Sequence, residues 1–215
     1  MTKHPTIKLV CFDLDLTLIS HNSWFDLNMA LGVSPEEDKR LYTEYKTGKI
    51  TYEEWNALTL EKYLEHADAT RDGVTKALSK YTYSDGAREA VQYLQGKGYA
   101  IALISGSIDI IVNRIAKELG IPYAKANNTF LFDENDRLNG IATDGDDCMA
   151  KARHLEAFCD LLGIHMSECA CIGDGENDLE MFRRTGKGIT FTGSRIEAEA
   201  WKVIDSLHDI PKMFA

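Results

Sequence analysis

The chain has 215 residues, 44% of them hydrophobic, and a formal net charge of −10. That length holds one domain, or one domain with a smaller one inserted, and the hydrophobic share is enough to bury a sizeable core. The negative balance, with no basic run and no aromatic–basic interleaving, excludes a protein that grips nucleic acid through clustered Lys and Arg, and no apolar stretch reaches transmembrane length.

The first segment, MTKHPTIKLV, lacks the long apolar core of a signal peptide, so the expectation is a cytoplasmic protein without membrane association. Ile7–Phe12 is nearly continuous in apolar residues and predicts a buried strand. It runs into Asp13 and Asp15, one residue apart, with Thr17 close behind. If the strand pleat continued, the two carboxylates would share a face.

From His21 to Tyr81 no strand pattern occurs. Ser34-Pro35-Glu36-Glu37 is a capping box with Pro at the first helical position; Thr51-Tyr52-Glu53-Glu54 is a second, with Ile50 and Trp55 spaced to staple it. Residues 21–81 are therefore expected to form a small α-helical cap inserted into a core made of 1–20 and 82–215. Trp24, Tyr52 and Trp55 are expected to fill the interior of that cap rather than to touch substrate.

After the insert, Ser84 is placed to cap a helix carrying Ala87, Ala90, Val91 and Leu94, closed by Gly96 or Gly98. Tyr99–Ile104 reads as a second strand with Ser105-Gly106-Ser107 just past it. A helix with Ile108, Ile111, Val112, Ile115 and Leu119 on one face follows and ends at Gly120. Asn127–Phe132 and Leu138–Thr143, joined by DENDR, read as a β-hairpin within about 127–143. Asp144, Asp146 and Asp147 lack the spacing of a calcium loop and are expected to form a solvated turn. A helix from about Met149 to Leu162 stops at Gly163. Cys169–Ile172 is a third strand with Gly173–Asp178 just beyond, and Gly188–Phe191 and Lys202–Ile204 are weaker strand candidates. Strands alternating with helices of this length predict an α/β fold, a Rossmann-like parallel sheet flanked by helices. The five cysteines are odd in number and form no C-x-x-C pair, which favours buried reduced thiols over zinc or disulfides. His21, His66, His154, His165 and His208 have no partners at ligand spacing.

In open parallel sheets ligands sit beyond the carboxyl ends of the strands. Three polar clusters occupy equivalent points: Asp13 and Asp15, Ser105 to Ser107, and Gly173 to Asp178. Together they would bring the carboxylates of Asp13, Asp15, Asp174 and Asp178 into one pocket. Two unit charges 4 Å apart repel by about 4 kcal/mol at an effective dielectric near 20, and a divalent cation relieves that repulsion. Oxygen ligands without His or Cys suit Mg²⁺. Ser105 and Gly106, opening a helix, would offer a hydroxyl and backbone N–H groups to an anion. Metal and anion together point to phosphoryl transfer.

These residues carry a resemblance. DLDLT (Asp13–Thr17), Ser105, Lys151 and GDGEND (Gly173–Asp178) resemble, in order and spacing, the four motifs of the haloacid dehalogenase superfamily of phosphotransferases. The helical insert after the first motif resembles the phosphoserine-phosphatase-like branch. The resemblance implies that Asp13 is the nucleophile and forms an aspartyl-phosphate, and that Asp15 is the general acid and base, its backbone carbonyl also ligating metal. It further implies that Ser105, with Gly106, binds the phosphoryl group, that Thr17 helps hold the strand end, and that Lys151 neutralises charge. Asp174 would ligate Mg²⁺, Asp178 would orient the metal's waters or Lys151, and Asn177 would support them. The activity implied is a Mg²⁺-dependent phosphatase acting on a small phosphorylated metabolite. The alternatives are transfer of the phosphoryl group to an acceptor other than water, and a catalytically silent binding protein.

Three positions depart from the family pattern. Leu16 stands where Gly or Ser is commoner between the second Asp and the Thr. Asn22 stands where phosphoserine phosphatases carry a Glu for the substrate ammonium. KITYEEWNALTLEKYLE holds no Arg for its carboxylate, the nearest being Arg40 and Arg71. An amino-acid substrate needs both partners, so phosphoserine is expected to be possible but not favoured, and a polyol or sugar phosphate, a phospho-amine or an unrelated metabolite to fit better.

Overall fold

The computed structural model describes residues 6–214; the part of the leader expectation that rests on residues 1–5 lies outside them. Among the described residues no helix is long and apolar enough to cross a membrane.

The apolar runs become strands β1 (Leu9–Phe12), β2 (Ala100–Ile108), β5 (Cys169–Ile172), β6 (Gly188–Phe191) and β7 (Lys202–Ile204), and the hairpin is β3 (Tyr123–Phe132) with β4 (Leu138–Thr143). They form one seven-stranded sheet in the order β4-β3-β2-β1-β5-β6-β7. The pairings are parallel except for β3 with β4. Strand β1 lies in the middle: the chain leaves it toward β2 and β3, then returns to its other edge with β5. Such a reversal opens a crevice at the carboxyl end of the central strand.

The two-residue period of the strands divides the core between the faces. Val10, Phe12, Ile101, Leu103, Ala170 and Ile172 turn to one face. There they meet Val91 and Leu94 of helix α5 (Ala87–Gly96) and Ile111 and Ile115 of α6 (Asp109–Leu119). Leu9, Cys11, Ala102, Ile104, Cys169 and Cys171 turn to the other, against Ala152, Leu155 and Cys159 of α7 (Asp147–Leu162) and Met181 and Phe182 of α8 (Leu179–Thr185). Full burial of each Leu, Ile or Phe here contributes about 1.5–3 kcal/mol. All five thiols are free; Cys148 alone is only half-buried.

Between β1 and α5 lie four helices: α1 (Ser23–Ala30), α2 (Pro35–Lys46), α3 (Tyr52–Leu64) and α4 (Arg71–Ala77). The Thr51–Glu54 capping box forms with both of its hydrogen bonds. At α2, Ser34 caps Glu37 N–H, while the Glu37 carboxylate turns to Arg40. Tyr42, Tyr45, Tyr52 and Trp55 pack together with ring centroids 5.0–5.9 Å apart, and α3 packs against β4.

Several boundaries differ from the sequence expectations. Helix α5 starts after Gly86, whose left-handed backbone (φ 78°) turns the chain; Ser84 accepts the Ala87 N–H through its carbonyl, not its side chain. Strand β2 runs on through Ser105, Gly106 and Ser107, because β3 pairs with it as far as Ile108 across a register shift. Ser105 and Gly106 therefore lie in the strand's irregular end and do not open a helix. Helix α7 starts at Asp147, with Asp146 as its cap, two residues before the expected start.

Candidate active site

Strand β1 stops at Phe12, and Asp13 N–H still bonds the Ile172 carbonyl at 2.9 Å. The chain then tightens: the Leu14 carbonyl accepts from the N–H groups of Thr17, Leu18 and Ile19, and Leu16 takes a left-handed backbone with φ 55°. The pleat does not continue, so Asp13 and Asp15 do not share a strand face. Asp13 points toward β5 and α7. The Asp15 Oδ2 instead accepts from Ser23 Oγ at 2.8 Å, and Ser23 Oγ also touches Ser107 Oγ.

At the centre is Lys151, fully buried, with Nζ 2.9 Å from Asp13 Oδ1 and 2.8 Å from Asp178 Oδ1. Burial works against its charge, but Asp13 and Asp178 outweigh it and hold the ammonium above the usual lysine range. The sequence alone makes Lys151 an ordinary helix residue; the fold buries it because two carboxylates await it. Asp178 is also buried and accepts Gly175 N–H through Oδ2 at 3.2 Å. Gly173 has to lack a side chain, since a Cβ there would stand 2.1 Å from that same oxygen. The loop is fixed further by Thr190 Oγ1 on the Gly173 carbonyl (2.7 Å) and Ser194 Oγ on the Asp174 carbonyl (2.9 Å).

Asp13, Asp174 and Asp178 each bring a carboxylate oxygen within 4.8 Å of the others. Burial first, then Asp13 and Asp178, push the Asp174 carboxyl up to about 7. Burial pushes Asp178 up to about 6 against the opposing pull of Lys151. An all-oxygen trio in which Asp174 and Asp178 resist ionisation suits a hard divalent cation. The Asp15 side chain is not part of this trio. Its Oδ1 is buried without a partner among the described residues, and burial, then Asp13, push it up to about 7 against the hydrogen bond from Ser23.

The other expected residues sit around this centre. Ser105 is buried at the end of β2, its Oγ accepting Ser107 N–H at 3.1 Å. Thr17 is buried beneath the turn with Oγ1 unpartnered among the described residues. Asn177 is half-buried beside Gly175. Asn22 is exposed and caps α1, accepting Phe25 N–H at 2.9 Å. Arg40 pairs with Glu37 and Glu44, and Arg71 with Asp136.

Several site residues escaped the sequence reading. Ser23 was not singled out, and Ser107 stood in the strand-end cluster without a role of its own. Tyr52 and Trp24, expected in the interior of the insert, reach the strand ends: Tyr52 donates to Asp147 Oδ1 at 2.9 Å, and the Trp24 indole N–H donates to the Gly106 carbonyl at 3.1 Å. Asp147 is not in a solvated turn. It is half-buried, and burial pushes its carboxyl up to about 6 against the pull of Lys151. One signal could have found it: Asp147 is four residues before Lys151, hence on the same helix face.

The family model for haloacid dehalogenase-like hydrolases matches residues 7–186. A phosphoserine phosphatase of Methanocaldococcus jannaschii is 33% identical over 195 residues, which cover 89% of this chain and 89% of that protein. A solved structure described as a phospho-aspartyl intermediate analogue of phosphoserine phosphatase superposes with a TM-score of 0.81 at 30% identity, covering 98% of this chain and 100% of that one. A substrate-bound phosphoserine phosphatase complex gives 0.81 at 30% identity, covering 98% and 99%.

Proposed function

Since the chain belongs to the haloacid dehalogenase-like hydrolases, in their phosphoserine-phosphatase-like branch, we propose that it hydrolyses a small phosphomonoester through an aspartyl-phosphate on Asp13. The observation that carries this reading is the buried Asp13 carboxylate, ion-paired to Lys151 at 2.9 Å within the acidic trio. Lys151 aims the Asp13 carboxylate through their 2.9 Å contact, and its charge offsets that of an incoming phosphate. Ser105 and the backbone of Gly106 bind the phosphoryl oxygens. Asp13 attacks phosphorus as the bond to the leaving oxygen breaks, and Asp15, protonated near neutrality, gives that oxygen its proton. The same carboxylate then takes a proton from the water that attacks the aspartyl-phosphate, releasing phosphate and restoring Asp13.

The trio of Asp13, Asp174 and Asp178 fits Mg²⁺, which when bound would draw charge from the phosphoryl oxygens. Thr17 and Asn177 hold the turn after β1 and the loop after β5. Residues 21–81 form the cap over the strand ends, tied down by Tyr45 to Asp146 (2.7 Å), Tyr52 to Asp147 and the Lys46–Glu176 ion pair. They would exclude bulk water and large substrates while closed.

The substrate reading drawn from Asn22 and the missing Arg gives way here. The high-coverage relatives are phosphoserine phosphatases, and phosphoserine is the substrate we favour. The test is phosphate release across a panel of phosphorylated metabolites with Mg²⁺, for the wild type and Asp13→Asn. Phosphoserine should rank high, and the variant should be inactive; near-normal turnover by Asp13→Asn would sink the mechanism.

A further inference from the structure

Asp147, the first residue of α7, is a carboxylate at the strand ends that the proposed chemistry does not use. It lies one helical turn, about 5.4 Å along the axis, from Lys151 and on the same face. Its Oδ1 accepts from Tyr52 Oη at 2.9 Å and from Asn127 Nδ2. Asn128 Nδ2 in turn donates to Tyr52 Oη (3.0 Å) and to the Gly106 carbonyl (2.8 Å), while Asn56 Nδ2 donates to Asn128 Oδ1 (3.2 Å). Tyr52, Asn56, Asn127 and Asn128 are all buried. Two elements, α3 and β3, thus hold by one oxygen a carboxylate carried on α7.

The other oxygen, Oδ2, bonds no donor among the described residues and lies against Gly106, where a Cβ would stand 2.4 Å from it. Gly106 is the neighbour of Ser105, at the strand end that receives the phosphoryl group. A helix-starting acid needs none of this support. Asp146 already caps α7 through Met149 N–H at 3.3 Å, and an acid that served only the helix dipole would do so from solvent. A carboxylate fixed at one oxygen and open at the other, beside an anion site, penalises any substrate that brings only negative charge and rewards one that brings a cationic donor.

We propose that Asp147 receives a protonated amine of the substrate, so that the site selects phosphomonoesters bearing an ammonium group a few bonds from the phosphate. This deepens the phosphatase reading and rests on it for the position of the phosphate. It also supplies what position 22 lacks, because the Asn22 side chain is spent on capping α1.

The experiment compares phosphoserine with 3-phosphooxypropionate, which differs only in lacking the amine, on the wild type and Asp147→Asn. Asn keeps an acceptor for Tyr52, so the fold should persist. The wild type should prefer phosphoserine in kcat/KM, and the substitution should cut that preference by roughly 10–100-fold, mostly through KM, as expected for a hydrogen bond between charged groups. A KM-weighted change confined to the aminated substrate is not what a merely structural role gives. Equal loss on both compounds, or an unchanged preference, would overturn the proposal.

Calorimetric binding of both compounds to the Asp13→Asn protein, with and without Asp147→Asn, reads the same contrast without turnover. If the wild type hydrolyses neither compound, an Asp147-dependent amine preference in binding would support this assignment and refute the phosphatase reading alone. Hydrolysis of both compounds without that preference would refute this assignment alone.

Discussion

Replacing Asp174 by Asn should stabilise the protein in chelator, although it removes a residue of the proposed metal site. The three carboxylates of the trio lie within 4.8 Å of one another, and at that separation each ionised pair repels by about 3 kcal/mol at an effective dielectric near 20. Lys151 offsets part of this, yet Asp174 still titrates near 7 instead of near 4. Ionising it in the folded protein therefore costs on the order of 4 kcal/mol relative to the unfolded chain. Its folded pKa is raised, so the folded state holds the proton more tightly. The stability this group contributes is full below about pH 4 and is lost as pH rises through about 7. Asn has no proton to lose. Urea unfolding in EDTA should show the two proteins alike near pH 4 and the variant ahead by about 2–4 kcal/mol at pH 8. With saturating Mg²⁺ the wild type should regain the difference, because binding to the folded state alone stabilises it. Parallel stability curves from pH 4 to 8 in EDTA, or a variant less stable than wild type at pH 8, would refute the reasoning.

Lys151→Met leaves Asp13 and Asp178 buried and facing each other. It should cost about 3–5 kcal/mol in urea unfolding and lower kcat by about 100-fold or more in phosphate release. Ser23→Ala removes the hydrogen bond that favours the Asp15 carboxylate. The limb of the kcat–pH profile near pH 7 should move to higher pH, and an acidic shift would contradict the assignment of Asp15 as the acid. Leu16 has φ 55° and is half-exposed; a left-handed backbone costs a β-carbon residue about 1–2 kcal/mol. Leu16→Asn, better suited to that region, should raise the thermal midpoint by a few degrees.

The sheet was legible where burial on both faces makes a strand continuously apolar: CACI and GITF occupy their expected spans in full. The end of β2 was not, because Ser105-Gly106-Ser107 reads as a turn. Only its pairing with Ala126 and Asn128 of β3 keeps it extended, and Asn127 and Asn128 are themselves polar residues buried in a strand. Asp13, Asp174 and Asp178 stand out at strand ends from their spacing, whereas Lys151 stands out only through the resemblance; the fold brings the four side chains together. The shared face of Asp13 and Asp15 was conditional on the pleat continuing, and it does not: the chain turns at Leu14, whose carbonyl takes three N–H groups, a turn that no period announces. Asp147 was lost among its acidic neighbours. What separates it from the exposed Asp144 and Asp146 is its partial burial and the paired bonds from Tyr52 and Asn127, 95 and 20 residues earlier in the chain, and contacts at that range leave no local pattern.

The uneven placement of the thiols has a practical consequence. Cys11, Cys159, Cys169 and Cys171 all lie on the face of the sheet covered by α7 and α8, so a thiol reagent can reach them only when that layer lifts away. Cys148, half-buried three residues before Lys151, should label early and singly. The four slow reactions that follow would then time the opening of the layer that carries Lys151, giving a native-state clock for it that needs no added probe.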